Sequence, residues 1–170
     1  EESRYGRKMI IVPTMVPDFQ IERFLGYGRG VAGGNFWYMC KTKKVVMNAG
    51  RKALKAIDKV EGVITPFGIC AAGSKPESKF PWIGGSTNHP FCPSLKGKLG
   101  ETSKVPNDVK FIPEIVIHGV SLDAVKNAMK VGIEAVFNID EVVMVSAGNY
   151  GGQLGKHKIF LRELFSTKNE

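Results

Sequence analysis

The 170-residue sequence predicts an α+β sandwich made of two strand–helix–strand halves. Three observations carry that expectation. Two stretches with helical apolar spacing, near 43–60 and 122–138, are each flanked by apolar, strand-like runs. A long irregular stretch over 73–107 separates the halves. One short pattern also occurs once per half, as Val-Ala-Gly-Gly-Asn-Phe-Trp-Tyr at 31–38 and Val-Ser-Ala-Gly-Asn-Tyr-Gly-Gly at 145–152.

Element by element, residues 8–16 form an edge strand, because Pro13 removes a ladder donor. Pro17-Asp18 turns the chain, and 19–25 returns as its partner. The first core strand runs over 30–42. The helix after it aligns Val46, Gly50, Ala53, Ile57 and Val60, and its small residues let it lie close on a sheet. Residues 63–72 are a second core strand, broken near Pro66. The 73–107 loop is rich in Gly, Ser, Pro and Lys, yet holds Phe80, Trp82, Ile83 and Phe91. A disordered linker does not carry that much apolar mass, so this reads as a packed loop. Residues 109–118 are the third strand. Ser121 is a good N-cap for the second helix, whose stripe is Leu122, Val125, Met129, Ile133 and Val136. Residues 141–147 are the fourth strand, and Lys158–Leu164 a last one. This order is a ferredoxin-like split βαβ sandwich with extra N- and C-terminal strands, a single domain over 1–170. Antiparallel pairing of the first and last core strands would bring the two Gly-Asn corners to one end of the sheet.

The composition excludes several classes. No apolar run reaches the roughly 18 residues of a membrane span. Cys40, Cys70 and Cys92 are odd in number and form no CxxC pair, and His89, His118 and His157 lack ligand spacing, so neither disulfides nor a metal site are indicated. That cysteine usage fits a reducing cytoplasm. The net charge of +8 suits an anionic partner, either a small carboxylate or phosphate or a nucleic acid.

Glu114 is the most informative charge. Strand alternation places it with Ile112 and Val116, while Ile115 and Ile117 point the other way. On an apolar face its carboxyl is desolvated, its pKa rises, and it serves as an acid; at a solvent-facing edge beside Pro113 it does neither. Ser86-Thr87-Asn88 offers three hydrogen-bonding side chains in the long loop, or an ordinary turn. The Gly-rich stretch 148–155 matches no phosphate loop and leads into a strand-like segment.

Taken in order, Gly30-Val-Ala-Gly-Gly-Asn-Phe, Gly73-Ser-Lys, Ser86-Thr-Asn, Phe91-Cys-Pro, Glu114-Ile-Val-Ile, Val131-Gly-Ile-Glu-Ala and Ser146-Ala-Gly-Asn-Tyr-Gly-Gly-Gln-Leu-Gly closely resemble the C-terminal, distal lobe of the formylmethanofuran–tetrahydromethanopterin formyltransferases. The resemblance spans about Arg7 to Phe165. It implies one lobe of a two-lobed, oligomeric (dimeric or tetrameric) cytoplasmic enzyme of archaeal and methylotroph one-carbon metabolism. The implied reaction moves a formyl group from methanofuran to N5 of tetrahydromethanopterin. Both carriers are anionic substrates, and no metal or prosthetic group is implied. Glu114 matches the carboxyl near the reacting group, and Asn35, Ser86, Thr87, Asn88 and Asn149 lie in motifs of the substrate cleft. Because that cleft forms between lobes and subunits, this lobe is expected to be inactive without its N-terminal partner lobe. Two other readings stay open: a formyltransferase-like protein with a structural or regulatory role, and a basic RNA-binding sheet using Phe36 and Tyr38. The absence of an RNP-type run argues against nucleic acid.

Overall fold

The chain builds two separate antiparallel sheets. A computed structural model describes residues 1–72, 88–148 and 155–166. The N-terminal sheet is a meander of β1 (Glu2–Arg4), β2 (Arg7–Val12) and β3 (Phe19–Glu22) in the order β1-β2-β3. Pro13 ends β2, as its missing N–H requires. The ion pair Arg7–Glu22 ties β2 to β3, and Arg23–Glu1 links the two outer edges.

The main sheet contains β4 (Val31–Cys40), β5 (Val63–Ile64), β6 (Cys70–Ala71), β7 (Pro113–Gly119) and β8 (Val142–Ser146). Its order is β5-β7-β4-β8, and β6 shares the β5 edge of β7. All these pairs are antiparallel. The first strand of one half thus lies between the two strands of the other, the interleaving expected of a split βαβ unit.

Two helices cover one face. In α1 (Lys43–Ile57) the Thr42 side chain caps by accepting from the Val45 N–H at 3.3 Å. In α3 (Leu122–Phe137) Ser121 does the same for Ala124 at 3.1 Å. Glycines set the spacing of this layer. A Cβ on Gly132 would sit 2.9 Å from Ile57 Cδ1 and Phe36 Cε1. Phe36, Tyr38, Cys40, Ile115 and Ile117 point into this layer and are inaccessible to solvent. Each large apolar side chain buried this way contributes about 1.5–3 kcal/mol.

The opposite face holds a smaller cluster of Trp37, Met39, Ala72, Val105, Val109 and Ile112, with Phe91 against it. Its cover is the second part of the long loop. That part folds into short helical turns over His89–Phe91, Pro93–Leu95, α2 (Lys96–Leu99) and Gly100–Thr102. The Lys96 ammonium donates to the Pro106 carbonyl and Asn107 Oδ1, both at 3.1 Å, and closes this roof.

Two expected elements are corrected. The strand expected at the edge over 8–16 is β2, the middle strand of the meander, and it can be central because it ends at Val12 and leaves Pro13 outside the ladder. The last strand, Lys158–Leu164, is not a strand: Leu161–Phe165 is a short helix, α4. Leu161 and Leu164 both pack on the helix-side core. Three-residue spacing puts them on one side of a helix, whereas a strand would point them to opposite faces.

Candidate active site around Glu114

Register across the main sheet lines up four side chains in one row. Glu114 on β7 pairs with Trp37 on β4 and with Cys70 on β6, and Trp37 pairs with Ser146 on β8. Directly opposed residues share a face, so Cys70, Glu114, Trp37 and Ser146 all point away from the helices. The alternation expected for β7 holds, with Ile115 and Ile117 buried on the helix side and Glu114 half-buried on the other.

The carboxyl is held from both sides. Trp37 Nε1–H donates to Glu114 Oε1 at 3.1 Å. The Cys70 thiol donates to the Glu114 carbonyl at 3.4 Å and lies 3.9 Å from Oε2. Burial pushes the Glu114 pKa above the ordinary carboxylate value, while the Trp37 and Cys70 bonds pull it partly back. Burial, then the neighbouring carboxylate, pushes the Cys70 thiol up as well. Cys70 is therefore a carboxylate partner. Nothing local could have shown this, because β6 is two residues long and its partner lies 44 positions away.

Trp37 is itself tightly seated. It is 2% exposed. Phe91 meets it edge-on with ring centroids 5.3 Å apart. Gly148 lies against the indole, where a Cβ would come within 2.9 Å of Cε2 and Cη2 and closer still to Cζ2.

The two Gly-Asn corners meet, as antiparallel pairing of β4 and β8 predicted. Asn35 Nδ2 donates to the Gly148 carbonyl at 2.8 Å, and Asn35 Oδ1 accepts the Gly148 N–H at 3.0 Å. A side-chain amide thus pairs with one residue's backbone as a strand would. Asn35 lies one register step from the Glu114 row, opposite Val116. Asn88 opens the His89–Phe91 turn, where its carbonyl accepts from the Phe91 N–H at 2.8 Å. Ser86, Thr87 and Asn149 lie outside the described residues.

Further along β7, a pocket of about 570 Å³ opens at the strand end. His118, Arg29, Ile64 and the glycines Gly28, Gly30, Gly62 and Gly119 are among the residues that line it. His118 is on the same sheet face as Glu114, four residues on.

A family model described as "FTR, proximal lobe" matches residues 17–164. The chain belongs to the FTR family. The lobe is the proximal one, which corrects the distal assignment made from the sequence. Among curated relatives, a formylmethanofuran–tetrahydromethanopterin formyltransferase-like protein of Methanothermobacter marburgensis is 58% identical, over 92% of this chain and 53% of its own length. A protein named formylmethanofuran–tetrahydromethanopterin formyltransferase from Archaeoglobus fulgidus is 49% identical, over 94% of this chain and 54% of its own. The solved formyltransferase of Methanosarcina barkeri matches with a TM-score of 0.76 and 43% identity, over 94% of this chain and 55% of that one. The chain therefore spans about half the length of the relatives it matches. Among the described residues, no helix is long and apolar enough to cross a membrane.

Proposed function

We propose that this chain is one lobe of a formyltransferase that moves a formyl group from methanofuran to N5 of tetrahydromethanopterin. The observation that carries this reading is Glu114: a half-buried carboxyl on the sheet face away from the helices, with raised pKa and a fixed indole donor. Formyl transfer needs such a group. The acceptor nitrogen attacks the formyl carbon and forms a C–N bond, and a tetrahedral intermediate carries charge on oxygen. Collapse breaks the C–N bond to the methanofuran amine, which must leave with a proton. Glu114 supplies that proton and regains one from the attacking nitrogen, so the proton balance closes. Fixed donors around the oxyanion supply the larger part of the acceleration. Ser86, Thr87, Asn88 and Asn149 are proposed cleft contacts, with Asn35 shaping the cleft end. Arg29 and His118 suit the carboxylate or phosphate groups of the carriers, in keeping with the +8 charge.

A cytoplasmic setting fits the three free cysteines. The N-terminal sheet supports self-association: Phe19, Phe24 and Leu25 are exposed around a meander that, among the described residues, pairs with its own strands alone. A second copy of the protein is the proposed occupant of that surface.

A second reading has its own support. The relative at 58% identity carries a "formyltransferase-like" name, while the one named as the enzyme stands at 49%. That ordering favours a non-catalytic paralogue. A spectrophotometric formyl-transfer assay separates the two. Turnover by the full-length protein, with little or none from this chain by itself, is expected. No turnover by the full-length protein, with both carriers saturating, establishes the non-catalytic reading.

A further inference from the structure

We propose that the paired Gly-Asn corners form a positioning device, in which Asn35 clamps Gly148 so that Gly148 seats the Trp37 indole against Glu114. This rests on the reading of Glu114 as the acid and deepens it. Trp37 is the positioning residue, and Asn35 and Gly148 act through it.

Three independent contacts carry the inference. Both polar ends of the Asn35 carboxamide engage the backbone of Gly148, at 2.8 and 3.0 Å, and Nδ2 also donates to the Gly33 carbonyl at 3.3 Å. A shorter or apolar side chain cannot span that gap with a donor and an acceptor together. Gly148 in turn lies against the indole, where even a Cβ would clash with the ring. The opposite constraint comes from Phe91, edge-on at 5.3 Å. Between them the ring has one position, and in that position its only polar atom points at Glu114 Oε1. The motif repeats in sequence because each half contributes one side of the clamp, the Asn side chain from β4 and the bare Gly backbone from the end of β8.

The indole N–H can only donate, so it favours the ionised carboxylate over the acid. It therefore opposes the desolvation of Glu114 and keeps the group able to both lose and regain its proton. Among the described residues, Cys70 faces it from β6 and His118 stands on its sheet face four residues on; Lys104 of the roof segment reaches the Phe91 ring, with its ammonium 6.0 Å from the centroid.

The test uses the full-length protein and two readouts that need no turnover. The first is the infrared C=O band of the protonated carboxyl, assigned as the band that Glu114→Gln abolishes. Trp37→Phe removes the donor and keeps an aromatic ring, and should raise the band's midpoint by about one pH unit, a tenfold change in the ionisation constant. Asn35→Ala should move it in the same direction by a smaller amount, and should shift the corresponding limb of the kcat pH profile equally. The second readout is the indole N–H resonance of Trp37 in the unsubstituted protein, which should titrate with the Glu114 midpoint. An unmoved midpoint in folded Asn35→Ala overturns the clamp. If that variant does not fold, indole resonances that stay still through the carboxyl titration overturn the proposal without it. Shifted midpoints in a protein with no formyl transfer keep the positioning device and remove the catalytic reading, so the two fail separately.

Discussion

Gly148→Ala is the sharpest test of how the candidate site is packed. The backbone of Gly148 lies outside the left-handed region, so alanine carries no conformational penalty there. The whole effect comes from contact between one methyl group and the Trp37 indole. Two ring atoms would stand 2.9 Å from the new Cβ, with a third nearer, against an ordinary contact of 3.4–4 Å. The ring must retreat by about 1 Å or more, away from a β8 end that Asn35 holds. Its Nε1···Oε1 bond of 3.1 Å then cannot keep its present geometry. Overpacking costs about 1–3 kcal/mol, and the stranded bond about another 1. We expect a loss of about 2–4 kcal/mol by urea unfolding. At about 2–4 °C per kcal/mol for a chain of this size, Tm falls by roughly 5–15 °C. Gly33→Ala is the control. Nothing lies within 4 Å of its Cβ, but its φ is +85°, so its cost is a backbone term of about 1 kcal/mol. A Gly148→Ala loss no greater than the Gly33→Ala loss would show that the indole has room to move, and the packing argument would fail.

Three further outcomes are expected. Because the folded-state pKa of Glu114 is raised, the carboxyl's favourable contribution is complete below the unfolded value and lost as pH rises through the folded one. Glu114→Gln should match the wild-type Tm near pH 4 and exceed it at pH 8; the reverse order would refute the desolvation assignment. Arg29→Ala in the full-length protein should raise the KM for an anionic carrier about tenfold with kcat little changed, and an unchanged KM would remove the strand-end pocket from the binding surface. Sedimentation should show the full-length protein self-associated, and Phe24→Glu with Leu25→Glu should return it toward monomer; a monomeric wild-type protein would rule out the second-copy occupant of the N-terminal sheet.

Much of this architecture was legible because its signals are local. Helical spacing in α1 and α3, their Thr42 and Ser121 caps, and the alternation along β7 each follow from a few adjacent residues. The alternation was enough to put Glu114 on the face opposite Ile115 and Ile117. The split βαβ order also allowed the two Gly-Asn corners to meet, given antiparallel pairing of β4 and β8. What the sequence hid was long-range. Asn35 and Gly148 are 113 residues apart, and no property of either shows that the amide binds the other's backbone. The pairing of Cys70 with Glu114 depends on a two-residue strand whose position is set by the loop around it. The α4 segment misled because Ile159, Phe160 and Leu161 favour strands locally, and the docking of Leu161 and Leu164 on the core selects the helix. The lobe assignment failed for a different reason: proximal and distal describe places in an assembled protein, and a ferredoxin-like order is compatible with either.

Glu114 is assigned as the group that moves the proton. The direct measurement is kcat and KM for formyl transfer by the full-length protein with Glu114→Gln. Glutamine keeps an oxygen for the Trp37 N–H to bind but cannot donate and recover a proton. The account predicts a fall in kcat of about 10²–10⁴-fold with KM within a few-fold of wild type. A variant that keeps kcat within about threefold would contradict it.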